Sequence, residues 1–119
     1  MIIICVAVRL KSSRLPGKAL ADLAGKPLIE RLTERISNTE RPAEIVWCTS
    51  THKEDEPLCA LAADLDINYV IGSELDVMGR FLSAADYFDA DHIVRVTGDN
   101  PLTDPVFIDE MIDIHLDTD

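Results

Sequence analysis

A basic loop near the start of the chain carries residue types that bind phosphate. Residues 9–18 read Arg-Leu-Lys-Ser-Ser-Arg-Leu-Pro-Gly-Lys and hold four of the eleven lysines and arginines in the chain. Arginine offers a planar fork for phosphate oxygens and lysine a mobile point charge, while the serine hydroxyls and the backbone N–H near Gly17 add donors, as in an anion-binding nest. The P-loop pattern is absent, and the alternative is a solvated basic loop without a ligand. The crowding of cations favours a phosphate site.

A second polar segment, Thr97-Gly-Asp-Asn-Pro101, follows an apolar run. A lone carboxylate in this position suits Mg²⁺, which takes one or two protein carboxylates together with waters and substrate phosphate oxygens. The segment fits equally well a turn in which Asp99 or Asn100 bonds its own backbone. Asp104 is predicted to cap the next helix rather than to be a second ligand. Asp99 is therefore the candidate metal ligand, with a turn as the open alternative.

The other charged residues give weaker signals. Arg80 follows Asp76-Val-Met-Gly and could reach the site from the first turn of a helix. Arg95 lies mid-strand among apolar residues, so it must be paired or face solvent, and a structural ion pair is the favoured interpretation. The acidic run Glu54–Glu56 is interpreted as the negative start of a helix. The three histidines are scattered, with no Ser/His/Asp or Cys/His pattern, so we expect ordinary surface or hydrogen-bonded side chains.

Alternating strand-like and helix-like segments must position these residues. The strand-like runs are Ile2–Val8, Glu44–Thr49, Ile67–Ile71 and His92–Thr97. The helix-like runs begin at Pro27, span Glu54–Leu65 and Asp76–Phe88, and begin again at Asp104–Pro105, while residues 9–26 read as a loop. This order predicts a Rossmann-like three-layer α/β/α sandwich, with a mainly parallel sheet and helices on both faces.

The predicted sheet brings the polar segments to one place. In open α/β sheets, ligands bind beyond the carboxyl ends of the strands. Polar or glycine-containing sequence follows all four predicted strands, at residues 9–18, 49–50, 72–76 and 97–100. This convergence predicts a single site at that edge of the sheet.

Charge and composition exclude several classes of protein. Lysines and arginines number eight against five acidic residues in positions 1–50, but three against seventeen in positions 51–119, for a net charge of −11. A 47% hydrophobic content is too high for a disordered acidic tail, and the net charge would repel nucleic acid. The apolar opening Met1–Val8 is too short to span a bilayer and lacks the features of a signal peptide. Three cysteines without a CxxC pattern indicate reduced thiols in a cytoplasmic protein. We expect one domain with a local cationic site for a small polyanion.

At these same residues the chain resembles the nucleotide-sugar cytidylyltransferases, namely the acylneuraminate and 3-deoxy-manno-octulosonate enzymes and, most closely, spore-coat-polysaccharide and pseudaminate-type members. The similar blocks, residues 12–20, 23–29, 45–50, 72–81 and 93–102, run in family order. The resemblance implies a nucleotide-diphospho-sugar transferase fold, with residues 1–119 as its N-terminal nucleotide-binding part. It also implies transfer of CMP from CTP to a nonulosonate or octulosonate sugar acid, with release of pyrophosphate, for surface polysaccharide biosynthesis.

The resemblance further implies roles for individual residues. The family's catalytic residues, which bind the triphosphate and its Mg²⁺ ion, fall on Arg14, Lys18 and Asp99. Asp99 would be the metal ligand. The remaining nucleotide-binding positions fall on Ala7, Arg9, Ser13, Ser50 and Arg80. Of these, Arg9 and Ser13 would support phosphate binding, and the other three would lie near base and ribose.

Two departures from the family pattern leave alternatives open. The opening Val8-Arg-Leu-Lys11 is bulkier and more basic than the family's Ala-Arg followed by a small residue. Family members also continue well beyond this point, with a second metal carboxylate, sugar-contacting residues and most of a homodimer interface. We therefore expect a truncated form whose own activity is open, and a homodimer for the full-length form. The alternatives are a related transferase for another nucleotide and a non-catalytic nucleotide-binding or interaction module.

Overall fold

The computed structural model describes residues 1–10, 17–42, 44–73, 75–98 and 104–117. Its strands are β1 (Ile2–Ala7), β2 (Asp22–Leu23), β3 (Lys26–Pro27), β4 (Glu44–Ser50), β5 (Asn68–Gly72) and β6 (His92–Thr97). Its helices are α1 (Leu28–Ile36), α2 (Glu56–Asp64), α3 (Val77–Phe88) and α4 (Pro105–Asp117). Strands β5, β4, β1 and β6 form a parallel sheet in that order, which confirms the predicted α/β architecture.

Strand β1 lies at the centre of the sheet. It pairs with β4 on one side and with β6 on the other, and Ile3, Ile4, Cys5 and Val6 are fully inaccessible to solvent. Successive side chains point to opposite faces, so an unbroken apolar run is what a strand covered on both faces requires. The carboxyl end of β1 is therefore held between those of β4 and β6.

Helices pack on both faces of the sheet, as predicted. Helices α1, α2 and α4 share one apolar cluster with the sheet, and α3 packs Phe81 and Ala84 against the other face. The predicted inward stripe of α1, from Leu28 to Ile36, is buried. Trp47 is also buried, and its indole Nε1–H donates to Thr33 Oγ1 of α1 at 2.9 Å. The helices thus cover both faces of the sheet, and ligands of such sheets bind beyond the carboxyl ends of the strands.

The segment predicted as a loop over residues 9–26 contains a short hairpin. Strands β2 and β3 pair in antiparallel fashion, and the turn between them has positive φ at Ala24 (55°) and Gly25 (95°). Two consecutive residues with positive φ match the twist of a tight hairpin. Arg31 of α1 anchors the turn by donating to the carbonyl oxygens of Leu23 and Ala24 at 3.0 and 2.5 Å. The loop prediction is wrong here because these stabilising contacts come from a later helix.

Arg95 on β6 does not form the predicted ion pair among the described residues. Its side chain is exposed, and the guanidinium carbon lies 5.8 Å from the centre of the Phe81 ring. β6 is an edge strand, so a long side chain in its middle reaches solvent while its stem covers apolar surface. His92 at the start of β6 and His115 in α4 are ordinary surface histidines. Their ring nitrogens lie 3.1 Å apart, in hydrogen-bonding contact.

The cysteines are free, as predicted. Cys5 and Cys48 are buried on the face of the sheet that α3 covers, and Cys59 is partly exposed. The hydrogen bond between the two buried thiols, together with burial, raises the pKa of Cys48 far above its usual range. Such a thiol is inert. Across the described ranges, no helix is both long and apolar enough to cross a membrane.

Candidate functional site

The carboxyl ends of the four parallel strands meet at one edge of the sheet. Backbone hydrogen bonds join the strand exits there: Val8 N–H donates to Cys48 O at 3.1 Å, Thr51 N–H to Gly72 O at 2.9 Å, and Gly98 N–H to Ala7 O at 2.8 Å. The predicted nucleotide-contacting residue Ala7 lies at the end of β1, as expected. This edge is the candidate site.

The basic loop is closed at its base by a backbone bond. Gly17 N–H donates to Leu10 O at 2.9 Å, and Gly17 has a φ of 77°, a conformation that glycine adopts without strain. Lys18 then begins a 3₁₀ turn, Lys18–Leu20, whose Ala19 is buried. Arg9 and Lys18 therefore flank the two sides of this closure, which we call the loop neck (residues 9, 10, 17 and 18). Ser13 and Arg14, predicted within the loop, lie outside the described residues.

A buried carboxylate, Asp55, anchors the loop neck. It is fully inaccessible to solvent, and Oδ1 accepts from the Leu10 N–H at 2.6 Å. Oδ2 accepts a short hydrogen bond from Ser50 Oγ and lies 3.6 Å from Arg9 Nε. A carboxylate buried this deeply requires such compensation. The carboxylate thus joins the exits of β1 and β4.

The acidic run at residues 54–56 lies at a helix start, as predicted, but the side chain of Asp55 does not serve that helix. Glu54 and Glu56 are exposed, but Asp55 is buried and makes no side-chain cap bond to α2. A signal was available, because Asp55, Leu58 and Ala62 are spaced three and four residues apart and share the buried face. The sequence pattern could have predicted that Asp55 is buried, but it could not have predicted which groups Asp55 binds.

Ser50, predicted near base and ribose, lies at the end of β4 and is 3% exposed. Its hydroxyl donates to Asp55 and accepts from His52 N–H at 3.1 Å. His52 Nδ1 in turn accepts from Glu54 N–H at 3.0 Å, which caps the 3₁₀ turn leading into α2. The hydroxyl proton of Ser50 is therefore engaged by Asp55, and the contact of Ser50 with base or ribose stays a prediction.

Arg80 lies in the first turn of α3 and is almost fully buried, with 1% exposure. Its Nη1 donates to Cys48 O at 3.3 Å, while its Nε makes no hydrogen bond within the described part of the chain. Burial, followed by the nearby charge of Arg9, lowers the pKa of Arg80. The structure therefore brings Arg80 behind the carboxyl end of β4, close enough to Arg9 for the two charges to interact.

Gly72 makes room for Arg80. A Cβ at this position would lie 2.7 Å from Arg80 Cγ. We expect Gly72→Ala to lower the free energy of unfolding by about 1–3 kcal/mol, the usual cost of overpacking. Urea unfolding would measure it, with the same substitution repeated in an Arg80→Ala background. An equal cost in both backgrounds would show that the contact with Arg80 is not the cause.

Gly98 brings the segment that follows β6 close to β1. A Cβ here would lie 2.8 Å from Val8 Cβ and 3.0 Å from Ala7 O, a contact that only glycine avoids. Asp99, the predicted metal ligand, comes next but lies outside the described residues. Within the described ranges, no group of three or more His, Cys, Asp or Glu side chains is arranged to hold a metal ion. Asp104 caps α4 as predicted, accepting from Val106 N–H at 2.9 Å.

A cavity of about 310 Å³ lies elsewhere, at the amino ends of β4 and β5. Its lining includes Glu44 and Asp66, and Glu44 accepts a hydrogen bond from Asn68 at 3.0 Å. Acidic walls repel a polyanion. The open carboxyl edge, with three cations described there, is the better phosphate site.

Comparison with known proteins finds relatives that match most of this chain. The 3-deoxy-manno-octulosonate cytidylyltransferase of Geobacter metallireducens is 33% identical over 90% of this chain and 41% of its own length. The spore coat polysaccharide biosynthesis protein SpsF of Bacillus subtilis is 32% identical over 98% of this chain and 50% of its own length. The chain thus spans about half the length of the curated relatives it matches, or less.

Solved structures and a family model agree with these relatives. A cytidylyltransferase from Leptospira borgpetersenii superposes with a TM-score of 0.84 and 30% sequence identity, covering 95% of this chain and 47% of the other. The family model for cytidylyltransferases matches residues 2–119. The chain therefore belongs to the cytidylyltransferase family.

Proposed function

We propose that this chain binds CTP at the carboxyl edge of its sheet and supplies the nucleotide half of a CMP-transferring site. The observation that carries the proposal is the loop neck, where Arg9 and Lys18 flank a closure anchored by buried Asp55, with Arg80 behind it. Three cations held at one edge of a chain with a net charge of −11 favour a compact polyanion over an extended nucleic acid. A nucleoside triphosphate has that charge and size.

Fixed cations suit the chemistry of nucleotidyl transfer. An acceptor hydroxyl gives its proton to solvent and bonds to the α-phosphorus of CTP, while the bond from that phosphorus to the oxygen bridging to the β-phosphate breaks and its electron pair leaves with pyrophosphate. Catalysis of this kind depends on positioning and on neutralising the negative charge of the phosphates. Lys18 and Arg14 would neutralise the triphosphate, Arg9 and Ser13 would support them, and Arg80, Ser50 and Ala7 would lie toward the nucleoside.

Mg²⁺ fits the donor set proposed for it. Asp99 supplies one carboxylate, and Mg²⁺ commonly completes its shell with waters and substrate phosphate oxygens. Gly98, the residue before Asp99 in the sequence, lies against the end of β1. When bound, the ion would offset negative charge on the phosphates.

We further propose that the acceptor is a sugar acid of the octulosonate or nonulosonate type, in surface polysaccharide biosynthesis. The names of the relatives support this class, since one is a 3-deoxy-manno-octulosonate cytidylyltransferase and another a spore coat polysaccharide biosynthesis protein. A homodimer of the full-length form is the proposed assembly. Pyrophosphate release measured with each acceptor class, on the full-length form, tests the assignment.

A nucleotide panel tests the base preference. We expect isothermal titration with CTP, UTP, GTP and ATP in the presence of Mg²⁺ to show CTP binding at least about 10-fold more tightly than the others, a difference of about 1.4 kcal/mol. Removal of Mg²⁺ with a chelator should weaken CTP binding. A preference for UTP would favour a related transferase for another nucleotide, and no binding of any triphosphate would favour the non-catalytic module.

A further inference from the structure

We propose that Asp55 is a positioning residue for the triphosphate, an inference that rests on the proposed CTP site. Its carboxylate holds Arg9 and the backbone of Leu10, and through them the start of the basic loop. Asp55 does not contact the nucleotide in this proposal. It acts by fixing the residues that do.

The contacts of Asp55 all lead to the loop neck or to the strand exit beside it. Oδ1 accepts from the N–H of Leu10 at 2.6 Å, across a separation of 45 residues in the chain. Oδ2 accepts from Ser50 Oγ and faces Arg9 Nε at 3.6 Å. The carboxylate thus fixes a backbone amide and a cation immediately before residue 11, where the loop departs.

Local helix formation does not account for Asp55. It occupies the N-cap position of α2, yet its side chain makes no cap hydrogen bond and turns toward β1 instead. The exposed residues Glu54 and Glu56 already supply the negative charge that favours a helix start. The Asp55 carboxylate does not cap its own helix and instead binds a backbone N–H that is 45 residues away in the sequence. Its role is therefore specific to that segment.

Electrostatics gives the carboxylate a second role at the same point. Arg9 and Arg80 are close enough for the charge of one to lower the pKa of the other, and Asp55 opposes this effect on Arg80. Two guanidinium groups at one edge repel each other when no anion is bound. A buried carboxylate between the exits of β1 and β4 offsets this repulsion, so both cations can be in place before a triphosphate arrives.

The test compares Asp55→Asn with Glu54→Gln, a matched loss of charge at the adjacent exposed residue. The amide still accepts from Leu10 but no longer pairs with Arg9. We expect the Kd of CTP to rise at least about 10-fold in Asp55→Asn and the Kd of CMP to rise less than about 2-fold, since CTP carries the larger phosphate charge. Glu54→Gln should leave both unchanged. An equal loss of CTP and CMP affinity in Asp55→Asn would overturn the positioning role.

Hydrogen exchange on the ligand-free chain separates this inference from the proposed function. We expect the amide of Leu10 to exchange at least about 5-fold faster in Asp55→Asn, because its charge-assisted hydrogen bond has been replaced by a weaker neutral one. The amide of Gly17, which donates to the carbonyl of Leu10, should exchange faster to a similar degree because Leu10 is then less firmly held. The amides of Val6 and Cys48 in the sheet should keep their wild-type rates. Unchanged exchange at Leu10 and Gly17 would overturn the inference whether or not CTP binds. Failure of the wild-type chain to bind CTP, with the exchange effect present, would instead contradict the proposed function.

Discussion

Replacing Lys18 by alanine should weaken CTP binding about 30-fold or more, close to 2 kcal/mol, while the free energy of unfolding stays within about 0.5 kcal/mol of the wild-type value. Lys18 flanks the loop neck at the start of a 3₁₀ turn and is partly exposed, so its ammonium group can reach a ligand at the carboxyl edge. A hydrogen bond from a charged donor to a phosphate is worth more than a neutral one. Isothermal titration with CTP and Mg²⁺ would measure the loss.

Lys26→Ala is the control for this prediction. Lys26 carries the same charge but lies in the β2–β3 hairpin, where it pairs with Glu30 and Glu34 of α1. Those carboxylates raise its pKa and hold it away from the site. We expect CTP binding by Lys26→Ala to be unchanged. Equal losses in the two variants would mean that the overall charge, rather than the loop neck, determines binding.

Arg80→Met should separate stability from binding. Arg80 is buried, and burial lowers its pKa, which means that the protein environment disfavours its charged form. Replacing a buried charged side chain by an apolar one of similar volume is often neutral or stabilising. We expect urea unfolding to show a free energy within about 1 kcal/mol of wild type or higher, while the Kd of CTP rises at least about 10-fold. Unchanged or higher stability together with weaker CTP binding would show that Arg80 serves ligand binding rather than folding.

Arg95→Met provides the matched control, since Arg95 is the other arginine among residues 51–119 and lies exposed on β6. It should leave CTP binding unchanged. Wild-type affinity in Arg80→Met would assign Arg80 a purely structural role beneath β4. A loss of more than about 3 kcal/mol in unfolding free energy would show that its bond to the Cys48 carbonyl is essential to the fold.

These variants all test one feature of the fold, the carboxyl edge of the sheet, where the parallel strands end close together. Backbone bonds join the ends of those strands, and the Asp55 carboxylate and the bond between Gly17 and Leu10 hold the loop neck beside them. A site held in this way avoids the cost of ordering its residues when the ligand binds. Most of the rest of the chain is acidic, so this edge is a local cationic region in an acidic protein.

The sequence by itself determined the order of the elements and the edge at which they converge. The unbroken apolar run of β1, the inward stripe of α1 and the polar segments after each parallel strand are local patterns, and local patterns specify periodicity and burial. They also predicted Arg9, Lys18 and Arg80 as site residues, and the structure places all three at that edge. The roles of all the predicted site residues remain predictions, and the positions of Ser13, Arg14 and Asp99 lie outside the described residues.

Only the tertiary structure decided which partners the charged residues take. Asp55 binds a backbone 45 residues away, the β2–β3 turn is anchored by Arg31 of a later helix, and Arg95 reaches solvent because β6 is an edge strand. Burial of a carboxylate or guanidinium depends on compensation by groups distant in the chain. Periodicity records which face a residue occupies and carries no information about those distant groups, so the anchor of the loop neck became visible only in the folded protein.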